Sequence, residues 1–312
     1  MRSKKRLGKS LEDISHLFLS GSPQAAETAQ GAEADRPGKF DKRIPPRIWL
    51  SASLIEYPPS AFFTANMAVS LARGGLQVFM IETAPLPSMD EVFGMIPIHP
   101  SLNALLDQAN KQISIEGPPG IRVMSFRFSG EELGGFSDVE QEILSHILIK
   151  EEKGADLVMV HSVYSEEAEF DRLLKNVQGL VLAALPDMDS IAGTYRICKQ
   201  LFQMKPDLRI AFLVYEHPEF SDQAVWRQKL SQAADKFLGK KLEWLGSIPD
   251  DPLIARSLAA KVPVTLLYQS SKVSSCFDRA AEQMLKDSGV GDITPSPSFI
   301  EGLSRNPAVG GV

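Results

Sequence analysis

Cysteine is scarce: Cys198 and Cys276 are the only two in 312 residues, and they lie far apart. That excludes a disulfide framework and leaves no metal-ligand spacing, so both read as core residues. Long apolar runs are missing too, and none approaches the ~20 residues of a membrane span. The basic start, Met1 to Arg6, has no signal-peptide core behind it, because Glu12, Asp13 and His16 interrupt Leu11 to Leu19. The expected location is cytoplasmic. Histidines are few and none pairs at metal spacing: His99 precedes Pro100, His146 falls in a predicted helix, and His217 precedes Pro218. There is no G-x-S-x-G, so the nucleophile-elbow form of Ser/His hydrolase is excluded, and His161 reads as a buried or rim residue. Basic residues are not interleaved with aromatics and the net charge is −6, which argues against a nucleic-acid surface.

What is present is an ordinary globular composition, 44% apolar. It suits one large domain of about 250 residues with tails, or two small ones. Residues 1–20 stand apart. Arg2, Lys4, Lys5, Arg6 and Lys9 precede a short amphipathic stretch in which Leu11, Ile14 and Phe18 share one helical face, with Leu17 beside it. Ser10 and Asp13 give it a capping-box-like start. Gly8-Lys9-Ser10 imitates the end of a phosphate-loop motif but lacks the earlier glycine and a preceding strand. Residues 21–43 are rich in Gly, Pro, Ala and charge, the composition of a flexible linker. A tethered amphipathic segment suits a docking peptide for a protein partner. A membrane-surface helix and an extra helix packed on the domain are the alternatives.

From residue 44 to 286, apolar runs alternate with helical patterns. Strands are expected at Ile48–Leu50, Val78–Ile81, Ile121–Phe126, Leu157–Val160, Leu180–Leu185, Ile210–Val214, Leu242–Trp244 and Val264–Leu267. Helices are expected at Ser60–Arg73, Pro100–Gln108, Asp138–Glu152, Ser165–Lys175, Asp189–Gln203, Gln223–Leu238, Pro252–Ala260 and Ser271–Lys286. This alternation predicts a doubly wound α/β domain, a mostly parallel sheet with helices on both faces. Residues 287–312 read as a loosely ordered tail. The acids Asp187, Asp189 and Glu216 read as turn residues and helix caps.

Arg47 to Asp90 forms a β–loop–α–β unit, the layout that places a phosphate-binding loop between first strand and first helix. Its helix, with Ala65-Asn66-Met67-Ala68 and Leu71-Ala72-Arg73-Gly74, resembles the first helix of the MinD/ParA/FlhG family of deviant P-loop ATPases. Leu182 to Pro186 followed by Asp189 to Tyr195, then Trp244 to Pro252, then Val262-Pro263-Val264, resemble later elements of that family in the same order. The resemblance spans about residues 46–286 and implies a P-loop NTPase-like fold of the SIMIBI type. The family carries G-K-G-G-x-G-K-T-T in the first loop. This chain has Leu54-Ile55-Glu56-Tyr57-Pro58-Pro59-Ser60-Ala61 instead, with Ile55 and Ser60 at the two lysine positions and Ala61 at the Mg²⁺ threonine.

Prolines remove donors and Glu56 opposes a polyphosphate, so the loop is expected not to hold nucleotide in the usual way. Glu82 matches the aspartate after the second strand, His161 the metal-binding aspartate after the fourth, and Tyr215 the nearest position to the base-reading asparagine. The resemblance therefore implies a degenerate, non-catalytic member without bound cofactor or metal. It would act as an adaptor or spatial regulator of a bacterial cytoplasmic or inner-membrane-associated assembly. Its partners would be a protein held through Leu11, Ile14, Leu17 and Phe18, and a second copy or an active homologue. The alternatives are a divergent ATPase binding ATP and Mg²⁺, with Glu82 as its acid, and a peripheral membrane protein.

Overall fold

The computed structural model describes residues 47–83, 89–95, 114–125, 146, 149–165, 168–220 and 223–286. The segment carrying Leu11, Ile14, Leu17 and Phe18 and the expected helix Pro100–Gln108 lie outside these residues, as does most of Asp138–Glu152.

In chain order the elements are β1 (Arg47–Ser53), α1 (Ser60–Arg73), β2 (Val78–Glu82), α2 (Met89–Phe93), β3 (Ile115–Glu116), β4 (Ile121–Ser125) and β5 (Leu157–His161). There follow α3 (Ala168–Lys175), β6 (Gly179–Ala184), α4 (Ile191–Met204), β7 (Arg209–Glu216), α5 (Gln223–Leu238) and β8 (Glu243–Pro249). The described chain ends with α6 (Pro252–Ala260), α7 (Val264–Leu267) and α8 (Lys272–Lys286).

One eight-stranded sheet runs β3-β4-β2-β5-β1-β6-β7-β8, and every pair is parallel except β3–β4. The expected doubly wound sheet is thus observed. Alternation along each strand sends side chains to two cores. Ile48, Leu50 and Ala52 of β1 join Phe79, Phe212 and Trp226 on the face covered by α3, α4 and α5. Trp49 points the other way, into a core with Met80, Met159, α1 and α8. Strands with apolar residues on both faces read as continuous hydrophobic runs, which is why most were legible.

Helix α1 is buried from Ser60 through Leu71, because it packs under the sheet and α8 packs beneath it. It stops at Gly74, and Gly75 at φ 97° turns the chain so that Leu76 N–H can reach the Leu71 carbonyl.

One expectation fails, and one strand pairing was not anticipated. Val264–Leu267 is a helical turn, not a strand: Pro263 caps it, and four residues are too few for periodicity to separate the two forms. The antiparallel edge pair β3–β4 was not expected, since two residues carry no alternation. Among the described residues, no helix is long and apolar enough to cross a membrane.

Candidate functional site

Strand β1 lies between β5 and β6, and the chain leaves it toward β2 on one side and reaches β6–β8 on the other. Crevices at the carboxyl ends of strands around such a reversal are where open α/β sheets bind ligands. The register sets Glu82 opposite His161, and His161 opposite Ser51, so the ends of β2, β5 and β1 lie side by side. Ser60 opens α1 directly after the β1 loop.

These placements make one continuous chain of hydrogen bonds. Ser60 Oγ lies 2.8 Å from His161 Nε2, and His161 Nδ1 lies 3.0 Å from Glu82 Oε1. The other Glu82 oxygen accepts from the Met89 N–H. Glu82 and His161 are both 0% exposed and Ser60 is 7% exposed. A carboxylate only accepts, so His161 donates from Nδ1; in the neutral ring, Nε2 then accepts the Ser60 hydroxyl proton. A buried carboxylate is tolerated here because both oxygens have partners.

The histidine backbone is fixed as well. Its carbonyl accepts from the Thr83 N–H at 2.9 Å and the Thr83 hydroxyl at 3.0 Å, and Ser162 N–H donates to the Ser51 carbonyl. Thr64 Oγ1 donates to the Ser60 carbonyl, so the 2.7 Å contact with Ser51 Oγ has Ser51 as donor.

The loop from Leu54 to Pro59 uses its donors locally. Leu54 N–H binds the Ala183 carbonyl and Ile55 N–H binds Ser53 Oγ, while Pro58 and Pro59 have none to offer. Ile55 and Ala61 are buried, and Glu56 and Tyr57 are exposed. Beside the loop is a cleft of about 460 Å³ whose lining includes Ile55, Glu56, Tyr57, Tyr215, Glu219 and Asp250, and, among the described residues, no Lys or Arg. Tyr215 is not a free base-reading group. Its ring is buried edge-on against Phe63, and its hydroxyl donates to Asp250 at 2.6 Å. Burial first, then the Asp250 bond and charge, push this phenol well above the ordinary tyrosine range.

Ser60, Glu82 and His161 therefore come together in the core, and Leu54 to Tyr57 meet Tyr215 at the cleft. Asp187, Asp189 and Glu216 are engaged in separate local hydrogen bonds. Asp187 accepts from the Asp189 N–H in a turn, and Glu216 accepts from Ser247 and Gln223. The Ser247 hydroxyl is the main cause that lowers the Glu216 carboxyl below its usual range. Ser162, the next residue in the chain, is not the partner of the His161 ring. The structure uses Ser60 instead, 101 positions away, and Ser162 turns to the Val163 carbonyl. No group of metal-ligating side chains occurs among the described residues.

The backbone resembles MinD from Pyrococcus horikoshii complexed with Mg-ADP, with a TM-score of 0.59 over 80% of this chain and 99% of that one at 16% identity. It resembles a chain of the MinC:MinD cell division protein complex of Aquifex aeolicus at 0.57, over 80% of this chain and 100% of that one at 15% identity. The fold is that of the MinD/ParA P-loop ATPases. A ParA family ATPase from Chlorobium tepidum matches at 0.58, with 16% identity over 76% of this chain and 98% of that one. In sequence, antiactivator FleN of Pseudomonas aeruginosa is 20% identical over 257 residues, 79% of this chain and 89% of FleN. An uncharacterized ATP-binding protein of Methanocaldococcus jannaschii, MJ0547, is 21% identical over 71% of this chain and 81% of its own length. No family model matches the chain.

Proposed function

We propose that this chain is a pseudo-ATPase, a MinD/ParA-like adaptor or spatial regulator that works by binding other proteins. The observation that carries this reading is the buried Ser60–His161–Glu82 chain. At positions where the resemblance puts a phosphate-binding lysine and two metal-binding carboxylates, these side chains satisfy one another. A metal-bound nucleotide would have to break that chain and would find one carboxylate where the family has two. The loop adds to this, since Pro58 and Pro59 lack N–H groups and Ile55 N–H is already engaged. The cleft beside it presents Glu56, Glu219 and Asp250 to any anion.

A partner role has support from relatives: MinD of Aquifex aeolicus forms a complex with MinC, and FleN is named an antiactivator. In our reading the α/β domain pairs with a second copy or an active homologue, and Leu11, Ile14, Leu17 and Phe18 hold a further protein of a bacterial cytoplasmic or inner-membrane-associated assembly. The second reading, an ATP-binding protein, is favoured by the names of MJ0547 and of the Mg-ADP complex.

Titration calorimetry with Mg-ATP separates the two. The adaptor predicts only heats of dilution, and saturable binding would return the chain to its ATPase relatives. In parallel, pull-downs compare the full chain with one starting at Ile44. A partner captured only by the full chain supports docking through residues 10–19, and equal capture by both rejects it.

A further inference from the structure

We propose that Ser60 is an activated nucleophile, with His161 as its general base and Glu82 orienting that base, and that it accepts the acyl group of small uncharged esters. This goes beyond the adaptor reading and does not depend on it, since no nucleotide takes part.

The geometry is that of a nucleophile–base–acid relay. Ser60 Oγ meets Nε2 at 2.8 Å, and Glu82 Oε1 meets Nδ1 at 3.0 Å on the opposite side of the ring. This polarity makes imidazole useful as a base: the acid fixes the tautomer, so Nε2 has a lone pair for the hydroxyl proton. The acid is itself held, because the Met89 N–H binds its second oxygen. Thr83 pins the His161 carbonyl through two bonds. The arrangement is therefore preorganised, as such groups must be.

Donors for a developing oxyanion lie beside Ser60. Ser60 and Ala61 are the first two residues of α1, where helix N–H groups have no partner within the helix. Their N–H groups have no acceptor among the described residues. The N–H following a nucleophilic serine is a common oxyanion donor. Exclusion by the absent G-x-S-x-G motif does not reach this site. Those glycines serve a sharp strand-to-helix elbow, whereas here six residues, Leu54 to Pro59, make the passage from β1 to α1. Ala61, next to Ser60, is buried and apolar, as are Ile55 of the preceding loop and Met89, whose N–H binds Glu82, and these surroundings favour a small uncharged acyl group over a charged one.

In the reaction Ser60 Oγ attacks the ester carbonyl carbon while its proton passes to His161 Nε2. The tetrahedral oxyanion collapses, the carbon–alkoxy bond breaks, and the alkoxide leaves as alcohol with the proton from Nε2. The acyl-serine is then hydrolysed by water, whose proton is taken by Nε2 and returned to Ser60, releasing the carboxylic acid.

The test uses the full chain with a tagged fluorophosphonate and with p-nitrophenyl acetate, the adduct being located by peptide mass spectrometry. The expected result is an adduct on Ser60, absent from Ser60→Ala and from heat-denatured protein. Labelling should slow on the order of a hundredfold in His161→Gln and Glu82→Gln. Melting curves show whether the variants stay folded; if they do not, the contrast between native and denatured protein decides. No adduct on Ser60 in the native chain, or equal labelling after denaturation or in a folded His161→Gln, overturns the proposal. Calorimetry with Mg-ATP is unaffected by either result, so the two readings fail separately.

Discussion

Asn66 and Thr265 are 199 positions apart, yet one side-chain oxygen of Asn66 accepts both the Thr265 N–H at 3.0 Å and its hydroxyl at 2.9 Å. The Asn66 amide nitrogen donates to the Phe62 carbonyl at 2.8 Å, and both residues are fully buried. This contact fastens α7 to the middle of α1. Replacing Asn66 by Leu keeps the branching of the side chain and strips two buried donors of their acceptor, at about 1–3 kcal/mol for each. Urea unfolding should show that loss with little change in slope. A change below about 0.5 kcal/mol, the range of ordinary surface substitutions, would mean that α7 is not held this way.

Trp49 and Gly179 are opposite one another on β1 and β6. A Cβ added at Gly179 would come within 2.5 Å of the Trp49 ring, which is 1% exposed and has Arg209 stacked over it. Arg209 is in turn fixed by two 2.7 Å bonds to Glu243, so the ring has little room to yield. Gly179→Ala should therefore destabilise by about 1–3 kcal/mol through overpacking. Combining it with Trp49→Leu should recover part of the loss. Strict additivity of the two changes in thermal melts would reject the clash as the cause.

The parts of this architecture that could be read in advance are those written locally. Apolar runs such as Leu180 to Ala184 announced buried strands, and Ser60 to Arg73 announced a helix ended by two glycines. Strand order is not local. That β5 inserts between β1 and β2, and so brings His161 against Glu82 and beneath Ser60, follows from packing of the whole sheet. Each of the three residues could be flagged singly by resemblance, but the bonds among them could not. Val264 to Leu267 shows the same limit from the other side: these four residues took their form from Pro263 and from Asn66, not from their own pattern.

Ser60→Lys with Ala61→Thr restores two residues of the family's loop and should not restore ATP turnover. Lysine at position 60 would lose the bond to His161 and place an ammonium at a residue that is only 7% exposed, and Ala61 is wholly buried. Pro58 and Pro59 would still deny the loop its donors. The double variant should be destabilised by several kcal/mol, as expected for a poorly paired buried charge, and silent in a phosphate-release assay. Turnover above background would show that the loop backbone can be rearranged to hold phosphate.

The Tyr215–Asp250 pair predicts a dependence on alkaline pH. Because burial and Asp250 raise the folded phenol above its ordinary value of about 10, the neutral form is the one that the fold prefers. A group whose folded pKa is raised contributes stability that is complete below the unfolded value and lost as pH climbs toward the folded one. The stability advantage of the wild type over Tyr215→Phe should thus hold up to about pH 10 and decline above it. Urea midpoints for both proteins at rising pH give that difference, and phenolate absorbance of wild type minus variant follows Tyr215 itself. If that phenolate appears at ordinary alkaline pH while the protein is still folded, the buried bond to Asp250 does not exist in solution.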